Sequence, residues 1–170
     1  MSRAFVKDDA DNERVMVPQR ALLPDGTPNL VTPRGLALLQ RERETLEDEL
    51  LQVQGDADET PERARQLTVV RERIDDLEAR LASARLVQVP PDATGEVAFG
   101  ADVTTRSDGG EELCFRIVGV DEADPLEGLV AFVAPTAAAV LGRKVGERVT
   151  VDAGRGREDL EIVAVAYPDD

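Results

Sequence analysis

The sequence predicts an α+β protein in which an N-terminal antiparallel coiled-coil hairpin precedes a small β-sheet domain with one short helix. Leucine and valine recur at alternating steps of three and four between residues 32 and 88, as they do along a coiled-coil helix. Short runs that alternate apolar and polar residues replace this pattern between residues 89 and 170. The pair Pro90-Pro91 lies between the two patterns, so we place a domain boundary there.

The segment before the first helix, residues 1–31, has no stable hydrophobic period. It contains Pro18, Pro24 and Pro28, and Pro24-Asp25-Gly26 is typical of a turn. We therefore expect this segment to be extended or disordered, and to lie on the rest of the protein where it is ordered.

The first helix of the hairpin is predicted to begin after Thr32, which suits an N-cap, with Pro33 in the first turn. Gly55 is well placed to end it. Its apolar stripe, with one charged residue in a core position, consists of Leu36, Leu39, Arg43, Leu46, Leu50 and Val53.

The second helix begins with a similar signal, Thr60-Pro61. Its stripe continues the same spacing through Leu67, Val70, Ile74, Leu77, Leu81 and Ala84. Because so few residues separate the two helices, they must pack antiparallel. The result is a coiled-coil hairpin over residues 32–88 with its tip at residues 55–60. Spacing alone fits equally a plain helical domain or a dimerisation device.

The C-terminal domain, residues 89–170, is predicted to contain about five short strands in a compact antiparallel sheet. The strand-like runs lie at 97–103, 113–120, 128–134, 148–152 and 160–166. The Ala-rich segment Thr136–Leu141 is predicted to form a short helix across one face of the sheet.

The composition excludes several classes of function. The formal net charge is −15, which disfavours a nucleic-acid backbone as the main partner because that binding depends on Lys and Arg. The charge fits a basic protein surface, a metal ion or simple solubility. The sequence contains no His, so the commonest general base, the usual catalytic triads and most zinc sites are absent.

The single cysteine, Cys114, lies in the apolar run Leu113-Cys114-Phe115 and is expected to be a buried structural thiol. It cannot form an internal disulfide, so nothing requires an oxidising compartment. No apolar stretch approaches the roughly 20 residues needed to span a bilayer, and the N-terminus lacks the apolar core of a signal peptide. We therefore expect a cytoplasmic protein with no membrane partner.

The tip of the hairpin carries three carboxylates within four residues, on Asp56, Asp58 and Glu59. Their mutual repulsion would be relieved by a hard cation, and oxygen ligands favour Mg²⁺, Mn²⁺ or Ca²⁺. Two or three carboxylates do not complete an octahedral shell, so such a site would contribute ligands to a metal shared with another molecule. Alternatively, the acids only solubilise an exposed tip and favour the N-terminus of the following helix.

Several motifs occur in a particular order along the chain: VTPRGLALL at 31–39, GEVAFGADV at 95–103, RIVGVDEAD at 116–124 and VAPTAAAVLGRKVGE at 133–147. Together they resemble the GreA/GreB family of bacterial transcription elongation factors. The resemblance extends from Val31 to Tyr167 and leaves the first 30 residues outside it.

The resemblance implies an FKBP-like C-terminal domain that docks at the rim of the RNA polymerase secondary channel, while the coiled coil enters the channel. The tip carboxylates would help to hold the second Mg²⁺ of the polymerase active centre and so stimulate cleavage of a backtracked transcript. Such a factor is not itself an enzyme. It would act as a monomer and meet nucleic acid only inside the polymerase complex.

Residue by residue, the family tip motif Gly-Asp-x-x-Glu matches Gly55, Asp56 and Glu59, with Asp58 as an additional acid. The resemblance therefore assigns catalytic and metal-ligating roles to Asp56 and Glu59, with Asp58 as a third ligand. The polymerase-docking residues that it implies are Asp121, Glu122, Ala134 and Pro135. Ala134-Pro135 stands where the family has Ser-Pro.

The sequence departs from the family in two ways. Thr60–Arg63 replaces an Asn-Ala-Glu-Tyr continuation of the tip and removes its aromatic residue. The predicted first arm, Arg34–Gln54, is about 31 Å long and is shorter than the family's arm by roughly three turns. The alternatives are therefore a secondary-channel binder that inhibits or modulates the polymerase without cleavage, and, from another class, a coiled-coil adaptor or chaperone unrelated to transcription.

Overall fold

A computed structural model describes residues 20–55, 60–88, 95–152 and 156–168 of this chain. Two long helices, α1 (Pro33–Gly55) and α2 (Pro61–Ser83), are followed by a five-stranded sheet. A two-stranded sheet formed by β1 (Asn29–Val31) and β2 (Ala84–Leu86) lies at the base of the helices. The predicted α+β class, with a helical hairpin before a β-sheet domain, is confirmed.

The hairpin is held by the apolar stripe that the sequence predicted. Leu39 and Leu46 of α1 and Val70 and Leu77 of α2 are all buried. One predicted core position is wrong, because Arg43 is exposed and pairs with Glu47 one turn along the helix at 3.5 Å. A guanidinium can reach water from this surface, whereas burying it would cost its hydration.

The small sheet joins the start of α1 to the end of α2. Strands β1 and β2 pair in parallel, with Asn29 opposite Ala84 and Val31 opposite Leu86. The backbone N–H of Val87 continues the ladder by donating to the Val31 carbonyl at 3.0 Å. The last part of the segment that was expected to be extended or disordered is thus a strand with a fixed partner.

The C-terminal domain is built on a sheet with the strand order β5-β4-β3-β7-β6. Its strands are β3 (Asp102–Ser107), β4 (Glu112–Val118), β5 (Leu129–Ala131), β6 (Arg148–Asp152) and β7 (Arg157–Ala166). The sheet was expected to be antiparallel, but β4 and β5 pair in parallel. The ten-residue connection between them contains a 3₁₀ turn, Pro125–Glu127, which lets the chain return in the same direction.

The short helix predicted at Thr136–Leu141 is confirmed as α3 (Pro135–Val140). Its Ala137 and Val140 side chains are fully buried in the core of the domain. In the same core, the rings of Phe99 and Phe132 meet edge to face at 5.7 Å between centroids. The other members of this core are mainly Val, Ala, Ile and Leu, and α3 contributes two of them.

Two expectations for the C-terminal domain are wrong. The strand predicted from Val97 begins only at Asp102, because a turn at Gly100, with φ of 89°, interrupts the alternating run. Cys114 is exposed. Strand β4 points Phe115 into the core, and neighbouring residues of a strand face opposite sides of the sheet.

Within the described ranges, no helix is long and apolar enough to cross a bilayer.

Candidate functional site at the hairpin tip and the domain junction

The tip of the hairpin is described on both of its flanks. Helix α1 ends at Gly55 and helix α2 begins at Pro61, and each arm has 23 residues. At 1.5 Å per residue, each arm is about 34 Å long. The acids Asp56, Asp58 and Glu59 lie outside the described residues, so their predicted role as metal ligands stays a prediction.

Arg63 closes the tip from the second arm. Its Nε donates to the Val53 carbonyl at 2.8 Å, and its Nη2 donates to the Gln54 carbonyl at 2.9 Å. The last carbonyls of a helix have no partner within the helix, and a cation near them also interacts favourably with the helix dipole. One guanidinium on α2 therefore caps α1.

The start of α2 is held in a complementary way. The Thr60 hydroxyl accepts a hydrogen bond from the Arg63 backbone N–H at 3.1 Å and so caps the helix. Further along the arms, Arg73 and Glu49 form a cross-arm ion pair at 3.4 Å. The two ends that flank the acidic loop are thus held relative to each other. In the sequence, Arg63 stands out only because it replaces the aromatic residue of the family tip.

The predicted docking pair Ala134 and Pro135 lies at the start of α3. Pro135 is exposed in the first turn of the helix, and Ala134 is half-buried at its N-cap position. The Ala134 backbone N–H donates to the Ala131 carbonyl at 2.8 Å, which fixes the approach of the chain to the helix. The Pro135 surface is therefore accessible to a partner, and its role in docking stays a prediction.

The other predicted docking pair, Asp121 and Glu122, faces the base of the hairpin. The Asp121 carboxylate lies 3.4 Å from a guanidinium nitrogen of Arg20 and 3.4 Å from one of Arg80. Only 9% of the Asp121 side chain is exposed. Its interaction with Arg80 is an ion contact without hydrogen-bond geometry. This carboxylate thus joins the C-terminal domain to both the N-terminal segment and α2.

Glu122 is buried more deeply than Asp121, with 2% of its side chain exposed. It accepts a hydrogen bond of 2.5 Å from the Thr32 hydroxyl, and Arg34 lies 3.5 Å from its other oxygen. The Thr32 hydroxyl in turn accepts from the Gly35 backbone N–H at 2.8 Å, as an N-cap does. The N-cap of α1 was predicted, but its link to Glu122, 90 residues away, has no local signal in the sequence.

These contacts show how the predicted residues are distributed. Asp121 and Glu122 come together at the domain junction, whereas Ala134 and Pro135 lie at α3. Among the residues that the structure describes, no group of three or more acidic or Cys side chains could hold a metal ion.

The fold is thus a helical hairpin with a closed tip, joined to a β-sheet domain, and comparison with known proteins identifies its class. Residues 92–167 match the family model described as the C-terminal domain of the transcription elongation factors GreA and GreB. Residues 92–167 are thus similar to the C-terminal domain of the GreA/GreB family.

Curated relatives agree with this assignment. A transcription elongation factor GreA from Thioalkalivibrio sulfidiphilus is 43% identical over 97 residues, which cover 56% of this chain and 61% of that protein. A GreA from Alkalilimnicola ehrlichii is 40% identical over 104 residues, which cover 60% of this chain and 66% of that protein. The chain therefore spans somewhat less than two thirds of the length of these relatives.

Among solved structures, the chain is similar to GreA factor homolog 1 of Thermus thermophilus. The identity is 24%, the match covers 81% of this chain and 97% of that one, and the TM-score is 0.39.

Proposed function

We propose that this protein binds RNA polymerase at its secondary channel and stimulates cleavage of a backtracked transcript. One observation carries the proposal: a C-terminal domain of the GreA/GreB family is joined to an antiparallel hairpin whose arms end on either side of Gly55-Asp56-x-x-Glu59. The chain is not an enzyme in this role. It lends groups to the nuclease activity of the polymerase.

The two parts of the molecule would divide the work. The C-terminal domain would dock through the exposed surface at Pro135 and its neighbour Ala134. The hairpin would enter the channel, and contact with nucleic acid would occur only inside the complex. A monomer suffices for this arrangement. Because the polymerase is cytoplasmic, the protein would act in the cytoplasm.

The donor set at the tip fits Mg²⁺. Asp56 and Glu59, with Asp58 as a third acid, offer only carboxylate oxygens, which are the ligands that this hard cation takes. Bound jointly with the polymerase, Mg²⁺ would supply Lewis-acid activation of water. The contribution of this chain is to hold the loop ends, through Arg63 and Thr60, so that the acids are presented together.

Two features keep a second function open. Each arm has only 23 residues, and Arg63 occupies the position where the family tip has an aromatic residue. Both features favour a factor that enters the channel and inhibits or modulates the polymerase without cleavage. A coiled-coil adaptor unrelated to transcription lacks a comparable observation.

The test is transcript cleavage in backtracked elongation complexes that carry end-labelled RNA. The wild-type protein should accelerate release of 3′ fragments, and Asp56→Ala combined with Glu59→Ala should lose about a hundredfold or more of that acceleration. The matched control is Glu44→Ala combined with Asp48→Ala, which removes two exposed acids from α1. This control should cleave at the wild-type rate.

Binding to core polymerase is measured in parallel by pull-down, with Pro135→Asp as the docking variant. Binding without cleavage by the wild-type protein would establish the inhibitory or modulatory function instead. No binding would leave the adaptor function. Asp121 is a poor docking variant because its carboxylate is engaged inside the protein.

A further inference from the structure

The N-terminal segment contacts both domains. In β1, Leu30 packs against the core of the C-terminal domain, whereas its neighbour Val31 is buried in the core of the hairpin. Neighbouring residues of a strand point to opposite sides, so a strand of three residues can serve two cores. Leu23, earlier in the segment, also packs against the C-terminal core.

The backbone of the N-terminal segment lies so close to Gly119 of the C-terminal domain that a side chain would not fit there. A Cβ atom added at Gly119 would lie 2.6 Å from the Leu30 carbonyl oxygen and 3.7 Å from the Val31 Cα. Gly119 has no positive φ, so the absence of a side chain, rather than backbone freedom, is what the position requires. The junction is therefore tightly packed at this point.

Arg20 adds a charged bridge across the same junction. Its guanidinium lies 2.6 Å from the Glu42 carboxylate of α1 and 3.4 Å from the Asp121 carboxylate of the C-terminal domain. Only 18% of the Arg20 side chain is exposed, so salt screens these contacts less than it would at an open surface. Arg80 of α2 completes the network by donating to the Ala21 carbonyl at 2.6 Å.

The charge on Arg20 is permanent at any ordinary pH. Burial by itself would lower the pKa of this guanidinium, but the hydrogen bond and charge of Glu42, with the charge of Asp121, raise the pKa above its usual value. Loss of this proton would require a strongly alkaline solution.

We propose that residues 20–32 act as a clasp that sets the direction of the hairpin relative to the C-terminal domain, with Arg20 as its positioning residue. The clasp consists of the Arg20 bridge, the two-sided strand β1 and the Thr32–Glu122 hydrogen bond. The proposal goes beyond the proposed function because it concerns the isolated protein. An elongation factor with such a clasp would bind its partner with the hairpin already held in one direction.

The test measures the distance between the hairpin and the C-terminal domain by double electron–electron resonance. Cys114 is exposed and is the only cysteine of the sequence, so it takes one spin label without alteration. Gln52→Cys, at an exposed position near the end of α1, takes the second label. The doubly labelled full-length protein should give one narrow distance distribution, and Arg20→Gln should broaden it by about twofold or more.

A matched control is Arg148→Gln, which removes an exposed arginine that pairs with Asp108 at 3.2 Å within the C-terminal domain. It should leave the distribution unchanged. A second clasp variant, Glu42→Gln, removes a partly exposed partner of Arg20 and should broaden the distribution in the same way. The circular dichroism spectrum reports whether each variant is folded. An unchanged width in both clasp variants would overturn the proposal, whatever the protein does on polymerase.

Discussion

Replacing Gly119 by alanine should weaken the junction between the two domains. The added Cβ would lie 2.6 Å from the Leu30 carbonyl oxygen, whereas non-bonded atoms of this kind pack at roughly 3.5 Å. The obstacle is backbone rather than the end of a flexible side chain, so either β1 or the chain around Gly119 must move. The movement would disturb a strand that contacts both cores.

The expected magnitude follows from overpacking. Inserting a methyl group into a well-packed interior typically costs about 1–3 kcal/mol of the free energy of unfolding. For a protein of 170 residues, each kcal/mol lowers Tm by about 2–4 °C. We therefore expect the Tm of Gly119→Ala to fall by roughly 2–12 °C.

Differential scanning calorimetry measures this shift, and Gly109→Ala is the matched control. Gly109 also lacks a positive φ, and a Cβ there would meet only the Ser107 hydroxyl, at an ordinary 3.6 Å. The control should change Tm little. A Tm for Gly119→Ala that equals that of the wild type would refute the tight packing of Leu30 against Gly119.

Two further predictions concern the hairpin core and the cysteine. Leu77→Ala should lower the free energy of unfolding by about 2–5 kcal/mol in urea titrations, because Leu77 is fully buried between the helices. Leu51→Ala, at a 65% exposed position, should cost less than about 0.5 kcal/mol, and equal losses would contradict the described hairpin core. Cys114 should react with a thiol reagent in the native protein at nearly the rate seen in denaturant, because it is exposed. Protection of the native thiol would show that β4 faces the other way.

The helical part of the fold could be predicted closely from the sequence. Its signals are local: Thr32 and Thr60 cap the helices, proline follows each cap, and the apolar stripe has one period. The predicted first arm, Arg34–Gln54, differs from α1 by one residue at each end. The role of the tip acids stays a prediction, because residues 56–59 lie outside the described residues.

The sheet could be predicted less well, because alternation alone does not show which face is inside. Cys114 has apolar neighbours on both sides, yet the register of β4 exposes it. Val97 and Phe99 are both buried, which explains the alternation of apolar residues there. They lie beside a turn, however, and not in a strand.

The junction could not be predicted, because its pairs are distant in the sequence. Arg20 and Asp121 are 101 residues apart, and Thr32 and Glu122 are 90 apart. The resemblance to the GreA/GreB family implied a docking role for Asp121 and Glu122, and that role stays a prediction. The structure shows both carboxylates in contact with the N-terminal segment and the hairpin of their own chain.

The closure of the tip by Arg63 has a consequence for how the acidic loop can vary. Both of its side-chain hydrogen bonds end on backbone carbonyls, of Val53 and Gln54, and every residue type provides such an acceptor. Substitutions at these two positions therefore leave the closure intact, so long as the helix remains. The sequence between Gly55 and Thr60 takes no part in these two hydrogen bonds, so it could be exchanged for another acidic sequence without loss of the closure.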